Sequence, residues 1–298
     1  MATLLQMLVD GLALGAIYAL IALGFVVIYR ASQVFNFAHG EFLAFGALMT
    51  VTLTKVGLPW VLAVLVAMVL TGLLGALVER VALRPLVGRP VFVTIMVTIF
   101  VGMILRALLH MAWGTDPRGM PTPWDPMASM KLGEAVLDYN SLAAVGTAVV
   151  GLGAFFLLLR KTRLGVAMRA TASDQETSLA LGIPVGRIFA LTWFLAGMYA
   201  ALAGVFLGMV PRMVDVELGY VALRAFPAVI VGGLESPVGA VVAGVSLGLL
   251  EVLAQQYLTA PLGTFGQGFH EVFPYLIMIL VLIVRPYGLF GQKTVRRV

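Results

Sequence analysis

Residues 7–29 read MLVDGLALGAIYALIALGFVVIY, with Asp10 as the only charge. About 20 apolar residues in a helix cover roughly 30 Å of hydrocarbon, so this stretch crosses a bilayer. Further apolar runs lie near 41–55, 58–79, 91–113, 141–159, 188–210, 222–234, 238–257 and 270–285. The runs 41–55 and 222–234 are short and read as broken or re-entrant helices. Such elements are tolerated where they are buried in protein or line a water-filled cavity. The expected fold is all-α, a polytopic membrane helix bundle of eight or nine spans that include these short elements, forming one transmembrane domain over 1–298.

Composition agrees. Of 298 residues, 61% are apolar and 11% are charged, against about 25% charged in soluble domains. Mean hydropathy is +1.04, which leaves too little polar surface for a water-soluble globule. An isoelectric point near 9.7 reflects Lys and Arg in loops on one side of a bilayer and does not point to nucleic acid. The absence of cysteine excludes disulfides and thiolate metal sites. No basic residue precedes the first run and no cleavage site follows it, so it reads as a retained span, not a secretory signal.

Lys and Arg set the orientation. The segments around 30, 80–89, 160–187 and 285–297 hold most of the 19 basic residues. The alternate segments hold Lys55, Arg118, Lys131 and Arg212. The positive-inside rule then places the N-terminus outside and the C-terminus in the cytoplasm. Loop 114–140 falls outside and loop 160–187 inside. Gly15–Ala22 (GAIYALIA) is echoed by Ala196–Ala203 (AGMYAALA), with Tyr18 matching Tyr199. Each copy is followed by a polar break and a short apolar run, and the copies start on opposite sides, which predicts an inverted repeat. Glycines four apart, such as Gly11 with Gly15 and Gly244 with Gly248, predict close helix packing and a candidate dimer face.

Three polar segments interrupt this pattern. Asn36-Phe-Ala-His-Gly-Glu41 reads in two ways: a break lining a translocation path, with Asn36, His39 and Glu41 as candidates, or a helix terminus capped by Asn36. Residues 223–240 read as a tight hairpin reaching the cytoplasmic face or as a plain interhelical turn, with Ser236 as N-cap and Pro237 at the first helical position. Residues 165–183, GVAMRATASDQETSLALGI, are long enough for a helix and too charged for a span, and suggest docking to a soluble partner. Glu251 is a further path candidate, with an interhelical hydrogen bond as the alternative. Arg106 and His110 read as snorkelling to the interface. No GxxxxGK[ST], HExxH or GxSxG occurs, so no nucleotide site, cofactor or catalytic residue is expected in this chain. Three scattered histidines predict no metal site.

In this order, four stretches resemble the permease subunit of branched-chain amino-acid ABC importers. They are Gly11–Gly24 (GLALGAIYALIALG), Asn36–Glu41 with Gly46 and Ala47, Gly165–Ile183 with its Leu-Gly-Ile ending, and Gly232–Ala240 followed by Gly244. The resemblance implies a bacterial inner-membrane subunit beside a homologous second permease. It also implies two cytoplasmic ATPases that use ATP and a periplasmic substrate-binding protein. In that family the segment Arg169–Ile183 would dock as a short helix on an ATPase, capped by Asp174 and ended by Gly182. A urea or amide permease of the same family, an ion-coupled carrier using Glu251, and a non-transport scaffold stand as alternatives.

Overall fold

The computed structural model describes residues 2–132, 135–259, 261, 263–266 and 268–291. The basic tail residues Lys293, Arg296 and Arg297 lie outside the described residues. All nine apolar runs carry helices: α1 (Ala2–Ser32), α2 (His39–Lys55), α3 (Trp60–Val78), α4 (Val91–Trp113), α5 (Tyr139–Lys161), α8 (Val185–Leu207), α9 (Leu218–Val221) with α10 (Phe226–Gly232), α11 (Pro237–Leu258) and α12 (Phe269–Val284). Between α5 and α8 lie α6 (Arg163–Ser173) and α7 (Gln175–Ala180). Among the described residues, six helices are long and apolar enough to cross a membrane, with shorter apolar helices at Leu218–Gly232 and Phe269–Val284. α2 has 17 residues, which reaches only about 25 Å at 1.5 Å per residue.

The two halves pair in a reciprocal way. α1 packs along α11, and α8 packs along α3. Both contacts are antiparallel: Gly11 faces Leu249 and Gly244 faces Ala19, while Gly75 faces Trp193 and Gly197 faces Thr71. The first helix of each half thus lies on the third helix of the other, as an inverted repeat requires. The expected glycine packing occurs inside the chain. A Cβ on Gly248 would lie 2.2 Å from the Gly15 nitrogen, so these glycines are occupied by intramolecular contacts and are not available as a dimer face. Apolar side chains on α4 (Phe100, Met103, Ile104) and α5 (Val149, Val150, Leu157) point outward, which lipid accepts at no cost.

Both breaks follow the first helix of a half. α1 ends at Gln33, whose φ of 57° is left-handed and whose N–H reaches the Tyr29 carbonyl at 2.7 Å, an αL helix stop. Residues 33–38 then run without helix until His39. His39 packs beside Gly24 and Phe25, so α2 starts roughly 12 Å back from the end of α1 along its axis. In the second half, residues 208–217 separate α8 from α9. Ser236 accepts from the Gly239 N–H at 3.0 Å and Pro237 opens α11, in line with the hairpin expected there.

Loop 114–140 contains an antiparallel hairpin that hydropathy did not suggest, β1 (Ser129–Leu132) paired with β2 (Ala135–Asp138). Ala135 and Leu137 are buried while Val136 faces out, the period-2 pattern of a half-buried strand. Arg118 and Val214 exchange backbone hydrogen bonds at 2.9 and 2.8 Å. The Trp124 ring lies 5.6 Å from Trp60. The loop therefore folds back over the bundle and covers the second break.

Candidate translocation path and coupling segment

The two broken elements meet at main chain. A Cβ on Gly40 would lie 2.3 Å from the Gly219 carbonyl oxygen. Next to this contact, Glu41 accepts from Arg106 Nε at 3.1 Å and from an Arg106 terminal nitrogen at 2.5 Å. The Arg106 guanidinium sits 3.5 Å above the Tyr220 ring, a cation–π contact. Arg106 thus joins α4, α2 and α9, and the snorkelling reading gives way to an ion pair between a half-buried arginine and a buried glutamate. An arginine and a glutamate within apolar spans seek each other because neither can face hydrocarbon alone. That rule was the available signal for the pair.

Asn36, His39 and Glu41 are all buried. Asn36 Oδ1 accepts from the Ala38 N–H at 3.0 Å, so Asn36 shapes the turn into α2. Its Nδ2, both His39 ring nitrogens and Glu41 Oε2 have no hydrogen-bond partner among the described residues. Buried polar atoms are normally paired, and four such atoms on six consecutive residues mark this segment as exceptional. Beside it, Phe35, Phe37 and Phe226 form a triangle with centroids 5.7 to 6.4 Å apart. The first break contributes two of these rings and the start of α10 the third.

Glu251 is not part of this group. The Tyr18 hydroxyl donates to it at 2.8 Å across the α1–α11 seam. Its sequence counterpart Tyr199 donates to the Gly151 carbonyl on α5, also at 2.8 Å. In the second half, Arg224 pairs with Glu271 of α12 at 2.9 Å. Each broken element is therefore tied by an ion pair to the last helix of its own half. His110 lies 3.6 Å from Glu217.

Residues 160–187 form two helices, not one. Thr162 caps α6 by accepting from the Gly165 N–H at 3.0 Å, and Arg169 donates back to the Leu159 carbonyl. Asp174 separates α6 from α7. Its carboxylate accepts from the Thr177 N–H at 3.0 Å and the Thr177 hydroxyl at 2.7 Å, which makes it the α7 N-cap. These two bonds hold its pKa below the ordinary carboxylate value. The cap's stabilisation is therefore present above the unfolded-state pKa and is lost as pH falls through the lower folded value. Gly182, at φ +81°, ends α7, with Gly182 N–H bonded to Leu179 O and Ile183 N–H to Ser178 O at 3.0 and 2.9 Å, a Schellman stop. Gln175 donates to the Ala31 carbonyl at 3.1 Å, which fixes α7 to the end of α1. Leu179 and Leu181 remain exposed. Asp174→Ala is expected to speed amide exchange at Thr177 and Ser178 several-fold at neutral pH, with the spans unchanged; exchange mass spectrometry checks it.

A three-way joint lies beside α7. Past α3, Glu79–Leu83 form a π-helical turn and Arg84–Leu86 a 3₁₀ turn. Arg84 donates to both Glu79 oxygens at 3.2 and 2.8 Å and to the Gly186 carbonyl at 2.7 Å. The joint links the start of α8, just after Gly182 and Ile183, to the segment that leads into α4 and Arg106. Glu79 as the one acid in a basic loop was the sequence signal for it.

Inverted halves, each with a broken helix, whose breaks meet beside buried charges, are the build of a membrane transport protein. The chain belongs to the family described as branched-chain amino acid transport system / permease component, which matches residues 7–282. It is 31% identical to the high-affinity branched-chain amino acid transport system permease protein BraD of Pseudomonas aeruginosa, over 99% of this chain and 98% of that protein. It is 29% identical to LivH of Escherichia coli K12, over 99% and 97%. A probable LivH of Methanocaldococcus jannaschii is 30% identical over 91% and 88%.

Proposed function

We propose that this chain is the membrane-spanning subunit of an ABC importer for branched-chain or other small amino acids. The observation that carries the reading is the match to permease proteins of that transport system along essentially the whole chain. In this reading Asn36, His39 and Glu41 line the path near the Gly40–Gly219 contact, which stands closed. Glu251 supports the α1–α11 seam at its flank. The segment Arg169, Asp174, Gly182 and Ile183 docks on a cytoplasmic ATPase through α7 and its exposed Leu179 and Leu181. Its caps make α7 a stiff lever, so ATPase closure moves the spans instead of melting the loop. The N-terminus lies outside the inner membrane and the C-terminus in the cytoplasm. Loop 114–140 faces the periplasmic substrate-binding protein. A homologous second permease and two ATPases complete the assembly, with ATP used by those partners and no cofactor held here.

The test is affinity purification of the tagged protein from native membranes with mass spectrometry, followed by uptake in proteoliposomes. Two ATPases and a second permease are expected, with uptake of radiolabelled leucine that requires ATP and the binding protein. Gly182→Pro should release the ATPases while the permease pair persists. Uptake by this chain alone, driven by a proton or sodium gradient, would overturn the assignment.

A further inference from the structure

A groove of about 490 Å³ opens between α3 and α8 at their arginine-rich ends. Its mouth carries Arg80, Arg84 and Arg187. Its wall continues along the two spans as Leu77, Leu191 and Phe194. Arg84 has Glu79 as its carboxylate partner. Arg80 and Arg187 have no ion-pair or hydrogen-bond partner among the described residues. Arg80 lies two residues past the end of α3, and Arg187 is the third residue of α8. Both therefore sit where hydrocarbon gives way to headgroups.

We propose that this groove is a binding site for an anionic phospholipid. The headgroup phosphate is held by Arg80 and Arg187 with Arg84 behind them, and an acyl chain runs over Leu77, Leu191 and Phe194. Two features choose this occupant. Guanidinium groups present planar donor forks that match phosphate oxygens. Basic pockets between spans at the cytoplasmic boundary suit anionic headgroups. The apolar wall continues into the depth of the bilayer, where a soluble acidic partner cannot follow. A free phosphate ion would use the mouth and leave the wall empty. The bound lipid would rest on the Arg84 joint and hold the start of α8 against the end of α3.

Native mass spectrometry of the purified protein, titrated separately with phosphatidylglycerol, phosphatidylethanolamine and inorganic phosphate, tests the site. Phosphatidylglycerol is expected to be retained at least about ten-fold more strongly than phosphatidylethanolamine, whose ammonium offsets the phosphate charge that the arginines would hold. Arg80→Gln with Arg187→Gln should remove that preference, and millimolar phosphate should not compete. Arg160→Gln with Lys161→Gln, on the same end of the molecule, should leave it intact. Equal retention of both lipids, an unchanged preference in the arginine variant, an equal loss in the control variant, or displacement by phosphate would each overturn the assignment. If the double variant does not accumulate, Arg80→Gln alone should lower the preference, and no change there would count against the site equally.

Discussion

Replacing Arg106 with glutamine is expected to cost about 3–5 kcal/mol and to abolish transport, because it leaves a buried carboxylate without its partner. The Glu41 side chain is 5% exposed and the Arg106 side chain 20%, so the carboxylate itself stays buried when its partner is lost. The second Glu41 oxygen already lacks a partner, which makes the single variant worse. Glu41→Gln combined with Arg106→Gln removes both charges and should recover much of the lost stability, the usual outcome when a buried pair is neutralised together. Thermal unfolding of the detergent-solubilised protein measures the stability, and uptake in proteoliposomes measures the function. A single variant that melts with the wild type would show that Arg106 reaches the interface instead of Glu41.

Gly248→Leu is expected to prevent accumulation of the protein. The new Cβ would meet the Gly15 nitrogen at 2.2 Å and its Cα at 2.3 Å, and main chain cannot rotate away as a side chain can. Overpacking at side chains costs about 1–3 kcal/mol, and a clash with backbone forces the two helices apart. Separation would also stretch the Tyr18–Glu251 hydrogen bond, less than one turn further along α11. Gly153→Leu on α5 is the control, because nothing lies within 4 Å of a Cβ there. Membrane-fraction abundance of the two variants should separate sharply. Equal abundance would mean that the α1–α11 seam has slack.

The spans were legible because a bilayer demands long apolar helices whatever their neighbours. The run 91–113 coincides with α4, and the ends of α3, α5, α8, α11 and α12 fall within a few residues of their runs. The repeat was legible from eight residues around Tyr18 and Tyr199, since the inverted halves keep their first helices alike. Contacts between distant residues were not. Glu41 and Arg106 lie 65 residues apart, and Arg84 and Gly186 lie 102 apart. In lipid, both buried and exposed faces are apolar, so hydropathy alone does not say which face of α4 turns inward. The split of 165–183 into α6 and α7 was half legible. Asp174 was read as a cap, yet not as the boundary between two helices. The hairpin at 129–138 was missed because two four-residue strands carry too little periodicity to register.

The contact between Gly40 and Gly219 has a consequence for how such a molecule can diversify. At most constrictions a protein can adjust width and polarity by exchanging side chains. Here the opposed surfaces are bare peptide groups, with no side chain to exchange. Any other residue at Gly40 would place an atom against a carbonyl and hold the two elements apart, which on the proposed path is a gap that does not close. On the proposed path, variation in solute preference would therefore arise elsewhere, in flanking residues such as Asn36 and His39 or in a different chain.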